Sequence, residues 1–304
     1  MSAMTLLQIA EQQQDPMQKG IFQQIASDGK LMKLLNFIPC EKTQYEYLKQ
    51  ATLGEICFRG INGTYDPSAG IVNPATEQLA PFGGIVQLDH VFQGSLGHTR
   101  AVLNKSRAAA LYFDWAFVNA DPAVDAKAFY GLKSRIGEAQ KVTQSANGAT
   151  ITWEKVIQAL NLTVGENASK AILLNRTNRM NLINDAMADN AGKVYYQRVS
   201  AAEERFDGAL MVTFDDADLP SPIMPFTETC GTSQVTSSIY VIQLGGEAEQ
   251  EYVQGLIFGD AAKMIVHKPL AQTNTQVSDL VEMFAGVGIF HGRAAARIVG
   301  VKAA

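Results

Sequence analysis

Apolar residues at helical spacing run through one long segment of the chain, from residue 97 to residue 121. The apolar-to-small stripe of this segment consists of Val102, Leu103, Ser106, Ala110, Phe113 and Phe117. The polar positions that fall largely on other faces are Arg100, Asn104, Arg107 and Asp114. This pattern predicts an amphipathic helix, and Asp121-Pro122 ends it because a residue before proline avoids the helical region. A helix of about 24 residues spans about 36 Å, and we call it the spine helix.

Polar residues dominate positions 1–29, which we call the arm. Short helices are predicted at 5–14 and 18–26, separated by Asp15-Pro16. The arm has too few large apolar residues to fold alone, so we expect it to reach a neighbouring subunit. The apolar patch KLMKLLNFIP at 30–39 has to dock on another surface. The residues of this patch that we predict as contacts between subunits are Leu34, Leu35 and Phe37.

A long irregular stretch separates two strand-like segments, 55–61 and 84–92. The residues between them are rich in Gly, Pro, Asn and Thr and show no period, so 62–80 is expected to add nothing to the core. A loop of this length is usually functional or lies outside the domain body. We interpret 51–93 as a hairpin that projects from the fold, and the other interpretation is an ordinary disordered surface loop. The apolar side chains that a projecting hairpin would leave for another subunit to cover are Ile71, Val72, Leu79 and Phe82.

Helices and strands alternate after the spine helix. The predicted helices are 153–160, with Thr152 as its N-cap, and 176–188, with Met180, Ile183, Ala186 and Met187 on its apolar face. The predicted strands are 171–174, 209–214, 238–244, 252–258, 262–266, 280–290 and 295–301. A few helices against a sheet predict an α+β fold.

The composition supports a folded, assembling protein. The 304 residues are 47% hydrophobic, which supplies a sizeable core, and only 18% charged, which leaves much surface for partner subunits. A net charge of -5 argues against tight sequence-independent binding to nucleic acid. Three cysteines without metal-type spacing suggest neither a disulfide framework nor a zinc site. The sequence shows no export signal and no membrane-spanning run, so we expect synthesis and folding in the cytoplasm, away from any membrane.

The sequence offers few candidates for chemistry. A carboxylate cluster of Asp215, Asp216 and Asp218 could hold a hard cation, but an ordinary solvated loop is the favoured interpretation. Gly286, Gly288 and Gly292 resemble a dinucleotide fingerprint, but the spacing is off and the required helix and second strand cannot follow. The histidines stand alone in the sequence and form no metal-ligand or catalytic pair: His90, His98, His267 and His291. No catalytic residue, cofactor site or metal site is therefore predicted.

The order of these parts resembles the major capsid proteins of tailed bacteriophages, which have the Hong Kong 97-type fold. The segments that carry the resemblance are LLNFIP at 34–39, FRGINGTYDPSAG at 58–70, FGGIVQLDHVF at 82–92, AFYGLKSRI at 128–136, AILLNRTNRMNLI at 171–183, FDGALMVTFDDA at 206–217 and LVEMFAGVGIFHGRAAARIVGV at 280–301. The resemblance covers nearly the whole chain as an order of elements. It implies a structural protein and no enzyme.

The resemblance also implies a division of the chain. Residues 1–50 would be the N-terminal arm and 51–93 the extended hairpin loop, which laps a neighbouring subunit. Residues 94–145 would be the peripheral domain with the spine helix, and 146–264 the axial domain. Residues 265–304 would return as strands of the peripheral domain.

The implied partners follow from that role. Copies of the chain would form hexamers and pentamers of an icosahedral shell around double-stranded DNA, which the acidic wall would contact only weakly and without specificity. A separate scaffolding protein, a portal and a decoration protein are the other expected partners. The location would be the virion capsid, after assembly in the host bacterial cytoplasm.

The type member of the family joins its subunits by an isopeptide bond between a lysine of the extended loop and a neighbour's asparagine, with help from a glutamate. Glu282 falls where that glutamate would be, but no lysine occurs between positions 51 and 104. We therefore expect a shell without this bond. Two alternatives remain open at this point, namely an encapsulin-like compartment of the same fold and a cytoplasmic enzyme that uses the carboxylates at 215–218.

Overall fold

The computed structural model describes residues 3–12, 16–52, 54–200, 203–214, 221–259, 265–270 and 275–303. Its α-helices are α1 (Leu6–Gln12), α2 (Pro16–Asp28), α3 (Lys30–Leu34), α4 (Leu96–Asn119), α5 (Leu132–Arg135), α6 (Trp153–Leu162) and α7 (Arg176–Ala188). Short 3₁₀ helices occur at His90–Phe92, Glu138–Gln140, Asn167–Ser169 and Gly192–Val194.

The strands in the first half are β1 (Met4–Thr5), β2 (Asn36–Cys40), β3 (Gln44–Thr52), β4 (Ile71–Gln78), β5 (Ala80–Asp89), β6 (Lys141–Thr143) and β7 (Lys170–Asn175). Those in the second half are β8 (Tyr196–Arg198), β9 (Glu204–Phe206), β10 (Ala209–Phe214), β11 (Glu228–Cys230), β12 (Ser233–Gln243), β13 (Val253–Phe258), β14 (Ile265–Pro269), β15 (Gln276–Ile289) and β16 (Ala295–Lys302). Mixed helices and sheets confirm the predicted α+β class.

The spine helix is confirmed as α4, with Ser95 as its N-cap, whose hydroxyl accepts from the His98 N–H at 3.3 Å. The predicted stripe is buried except for Leu103, which is half-buried. The placement of Asp114 on another face is wrong, because its carboxylate is buried and accepts from the N–H groups of Lys30 and Leu31, at 2.9 and 3.1 Å. The first turn of α3 thus obtains an acceptor from the spine helix.

The arm packs on its own subunit. Helix α2 lies against α4 and buries Ile21, Phe22 and Ile25 completely in the main hydrophobic core. These three side chains fill one face of α2, and the spine helix covers that face. Over its described residues the arm stabilises the spine helix.

The first sheet lies beside the spine helix. Its described strands run in the order β1-β2-β13-β15-β14, and β5 also pairs with β15. The β5–β15 ladder is antiparallel and runs from Asp89 opposite Gln276 to Ala80 opposite Ala285. The core between this sheet and α4 contains Phe37, Phe113, Val281 and Met283, all fully buried.

The second sheet forms the other half of the body. Its order is β6-β16-β12-β7-β10-β9-β8, with β11 on β12, and α6 and α7 contact it. Strands β9 and β10 form a hairpin through Asp207 and Gly208, whose φ angles are 50° and 79°. Asp-Gly favours this turn because glycine adopts positive φ without strain.

The strands divide between the two sheets differently from the predicted domain boundaries. β13 lies before the boundary at 264 but pairs with β15 and β2 in the first sheet. β16 lies after it but pairs with β12 and β6 in the second sheet. Which sheet a strand joins depends on its pairing with strands far away in the sequence. The local pattern of apolar residues does not contain that information.

Several predicted local features also need correction. Thr152 precedes α6, but its side chain makes no cap bond, and Asp185 accepts from the Trp153 N–H at 2.8 Å instead. Helix α7 has the predicted bounds and buries Ala186 as predicted, but its other buried residues are Asn178 and Leu182, while Met180 and Met187 are half exposed. The glycines at 286 and 288, where no dinucleotide site was predicted, lie within β15. The predicted strand at 262–266 falls partly on residues outside the described ranges.

Candidate inter-subunit surface

The projecting hairpin is a two-stranded ribbon of β3 and β4. Its antiparallel register begins with Gln44 opposite Gln78 at the body and ends with Thr52 opposite Ile71. Residues 54–70 beyond the ribbon have no helix or strand and are exposed throughout. The predicted strand at 55–61 is therefore unpaired, and β5, whose region was placed in the hairpin, belongs to the body.

Large apolar side chains are exposed to solvent on this loop and on β4. Ile56, Phe58 and Ile61 are 97, 106 and 97% exposed, which leaves their hydrophobic surface entirely in water. On β4, Ile71 and Val72 are 56 and 49% exposed. An apolar patch of this kind marks an interaction surface. Ile56, Phe58 and Ile61 escaped prediction because their alternating pattern indicated a paired strand.

The other predicted contact residues lie elsewhere. Leu79 is buried where the ribbon meets the body, and Phe82 is half-buried against Tyr112, with ring centroids 5.7 Å apart. Leu34 is half-buried, whereas Leu35 and Phe37 are fully buried in the main core. The prediction for Leu35 and Phe37 needs correction, because burial inside the subunit leaves them no surface for a neighbour.

A buried polar network fixes the ribbon to the body. Arg135 of α5 forms a salt bridge with Glu77 of β4 and donates to the Val287 carbonyl at 3.0 Å. The Tyr47 hydroxyl lies 3.2 Å from Glu77 Oε1 and 3.3 Å from the Ile289 carbonyl. Burial, and then the neighbouring Glu77 carboxylate, raises the pKa of Tyr47 to about 12, so the phenol stays a neutral donor. This network sets the position in which the ribbon leaves the body.

Two histidines that lie far apart in the sequence approach the same carboxylate in the fold. His98 Nε2 contacts Asp279 Oδ2, and His267 Nε2 lies 3.3 Å from Asp279 Oδ1, so one buried carboxylate links α4, β14 and β15. Within the described ranges, no group of His, Cys, Asp or Glu side chains is arranged to hold a metal ion. The predicted carboxylate cluster of Asp215, Asp216 and Asp218 lies outside those ranges. No described helix is long and apolar enough to cross a bilayer.

Solved structures of other proteins share this architecture. No protein-family model matches the chain, and no curated protein matches it in sequence. Solved structures do match: the capsid of a native GTA particle has 13% sequence identity and a TM-score of 0.65, and covers 90% of both chains. Mycobacterium phage Adephagia has 12% identity and a TM-score of 0.58, and covers 89% of this chain and 88% of that one. The chain has the Hong Kong 97-type capsid fold.

Shells of more than one kind share the Hong Kong 97-type fold. The SrpI encapsulin of Synechococcus elongatus has 16% sequence identity and a TM-score of 0.62, and covers 90% of this chain and 87% of its own. Sequence identities this low establish the fold alone. In all three comparisons the match covers 89 or 90% of this chain.

Proposed function

We propose that the chain is the major capsid protein of a tailed bacteriophage, whose copies form the hexamers and pentamers of an icosahedral head around double-stranded DNA. One observation carries this proposal: on a body with the Hong Kong 97-type fold, the loop at 54–70 exposes Ile56, Phe58 and Ile61 almost completely. Burying each such side chain contributes roughly 1.5 to 3 kcal/mol before ordering costs. A second subunit that covers the loop gains this free energy.

The remaining partners belong to the same proposal. A scaffolding protein would template assembly, a portal would occupy one vertex, and a decoration protein would bind outside. The net charge of -5 suits a wall that must not hold packaged DNA tightly, so the contact is weak and non-specific. The protein would assemble in the host bacterial cytoplasm and end in the virion capsid.

An encapsulin-like compartment is the second candidate. The observation that favours it is the similarity to the SrpI encapsulin over 90% of the chain. The two candidates differ in what the shell encloses and share the contacts between subunits. Genes for a portal and a tail beside this one would favour the phage head, and a gene for a cargo enzyme would favour the compartment.

Gel filtration and negative-stain microscopy of the purified protein test the shared part of the proposal. Pentamers, hexamers or closed shells are expected at micromolar concentration. A stable monomer of 32.9 kDa under all assembly conditions would contradict it. Nuclease-protected double-stranded DNA in mature particles would then support the phage head, and protected protein cargo would support the compartment.

A further inference from the structure

We propose that Asn62 is a modification site, at which the free subunit converts its own asparagine to aspartate or isoaspartate by cyclisation onto the Gly63 nitrogen. This deamidation needs water and no other reactant. The inference goes beyond the proposed function and does not depend on it, because the reaction takes place within a single chain.

The reaction closes a five-membered ring between two neighbouring residues. The Gly63 nitrogen gives its proton to water and forms a bond to Asn62 Cγ. The bond from Cγ to Nδ2 then breaks, and the nitrogen takes up a proton and leaves as ammonia. Water opens the resulting succinimide at either carbonyl carbon, which yields aspartate or isoaspartate. A glycine nitrogen is the best nucleophile for this step, because no Cβ hinders its approach, and ring closure between adjacent groups needs only the right orientation.

The sequence contains two Asn-Gly units, Asn62-Gly63 and Asn147-Gly148. Both have the same pair of reacting groups, so their local chemistry is the same. The fold has to decide which of them can reach the geometry for ring closure. The contacts around the two units differ in a way that favours Asn62.

Only local contacts hold the turn around Asn62. Residues 54–70 are exposed throughout. The Gly63 N–H donates to the Gly60 carbonyl at 3.0 Å, and Arg59 donates to the Gly63 carbonyl at 3.1 Å. Within the part of the chain that the structure describes, the Asn62 side chain makes no hydrogen bond. The turn can therefore open, and the side chain can rotate, without disturbing the body of the protein.

Long-range contacts hold the second unit. Asn147 Oδ1 accepts from the N–H and from the hydroxyl of Thr232, each at 3.1 Å. The next N–H, that of Ala149, donates to the Gly300 carbonyl at 3.0 Å. Cyclisation of Asn147 would have to break both bonds to Thr232 and move a backbone that is anchored to a distant part of the chain. Asn147 is therefore protected, although its side chain is also exposed.

The product changes the loop and leaves the body intact. Asn62 has a φ of 67°, at the third position of the turn from Gly60 to Gly63. Aspartate visits this left-handed region as asparagine does, so the aspartate product keeps the turn. It adds one negative charge beside Ile61, and isoaspartate also lengthens the main chain by one atom. Reacted chains are therefore more acidic than fresh chains.

Mass spectrometry of the full-length protein tests the site. The purified chain is incubated at mildly alkaline pH, below the concentration at which it assembles. Asn62 should deamidate roughly tenfold or more faster than Asn147, because the second unit must first lose its two hydrogen bonds. The reacted peptide should separate into two products of equal mass, one of which elutes with the peptide of an Asn62→Asp variant. In synthetic peptides of residues 58–67 and 143–152, where no fold holds either unit, both should react at similar rates.

Two variants test the cause of the difference. Gly63→Ala adds a Cβ beside the attacking nitrogen and should slow the reaction at Asn62 roughly tenfold. Thr232→Val removes the hydroxyl that donates to Asn147 and should speed the reaction at Asn147 severalfold, with no change at Asn62. Circular dichroism checks that both variants fold.

Equally slow reaction of Asn62 and Asn147 in the folded chain, with fast reaction in both peptides, would overturn the inference, since it would show that the loop holds Asn62 as firmly. An unchanged rate in Gly63→Ala would also overturn it, because the attack would then not come from that nitrogen. Both results leave the proposed function intact, which the size of the assembled particles tests separately.

Discussion

At the scale of single residues, Asp114 shows how a buried carboxyl group joins two elements. Its carboxylate lies in the core face of the spine helix and accepts from the N–H groups of Lys30 and Leu31. Burial raises the pKa of Asp114 to about 7, and the two backbone hydrogen bonds only partly offset this effect. The folded state therefore favours the protonated acid, relative to an unfolded chain with a pKa near ~3.9.

The sign of the pH dependence follows from that shift. A group whose pKa is raised on folding contributes stability that is fully present below the unfolded pKa and is lost as pH rises through the folded value. We expect the loss from Asp114 to be on the order of 1 kcal/mol per pH unit between about pH 4 and 7. Thermal unfolding of wild type and Asp114→Asn from pH 5 to 8 measures it, because the variant lacks the titration and should gain relative stability as pH rises. Parallel curves would contradict the assignment.

The sequence predicts the buried stripe of the spine helix well and Asp114 poorly, for one physical reason. Apolar side chains at helical spacing are buried wherever a partner surface exists. A buried carboxylate needs specific donors, and here they come from the start of α3, more than eighty positions earlier in the chain. The same limit applies to Leu35 and Phe37, since apolar character indicates burial but does not say whether the partner is the same chain.

At the scale of elements, the salt bridge between Arg135 and Glu77 determines how the ribbon is attached. Both side chains are largely buried, and Arg135→Met would leave the Glu77 carboxylate without a cationic partner. Breaking a buried pair in this way costs about 3 to 5 kcal/mol. Urea unfolding of the unassembled protein should show the loss.

Lys141→Met is the matched control for that measurement. It breaks the salt bridge between Lys141 and Glu138, in which Glu138 is highly exposed, so the expected cost is about 0 to 1 kcal/mol. Equal effects of the two substitutions would show that the ribbon attachment contributes no more than a surface ion pair.

The loop at 54–70 should be dispensable for folding. Replacing residues 55–69 with a short glycine-containing turn removes only exposed side chains. A shorter loop also has a slightly lower entropic cost of closure. Circular dichroism close to wild type, without shells in the microscope, is the expected pair of results. Deleting residues 62–80 instead would remove β4 together with the buried Glu77. The prediction that 62–80 adds nothing to the core was therefore wrong. Loss of fold on replacing 55–69 would place the loop in the core.

Elements with strong local signals are predicted closely, and elements that depend on pairing are not. The spine helix, α7 and β10 match their predicted bounds within two residues. The segment 55–61 has a strand pattern but no partner in its own chain, and β5 begins at Ala80, earlier than its alternation suggested. Local pattern indicates what a segment prefers, whereas strand formation requires a second strand.

At the scale of the whole molecule, the proposed function requires that assembly covers the exposed apolar residues of the loop. In a shell these residues would be repeated in every copy, so a small gain at each contact would sum over the whole assembly. The predicted lapping of a neighbour by the hairpin stays a prediction, and the exposed loop side chains support it. The core residues of the arm, by contrast, already have their partners in α4.

The last prediction concerns how the shell is locked. No lysine lies between positions 51 and 104, so the exposed loop at 54–70 has no amine for an isopeptide bond, and Lys49 of β3 lies on the ribbon before the loop. Arg59 on the loop cannot replace it, because a guanidinium stays protonated and is no nucleophile. Glu282, which the resemblance places roughly where the helper glutamate would be, lines a cavity of about 730 Å³ together with Lys105 of the spine helix, so that lysine lies on the body and is not carried by the loop. Mature particles boiled in denaturing detergent with reducing agent should therefore run as single chains near 32.9 kDa. A ladder of covalent multimers under those conditions would show that another pair of residues provides the bond.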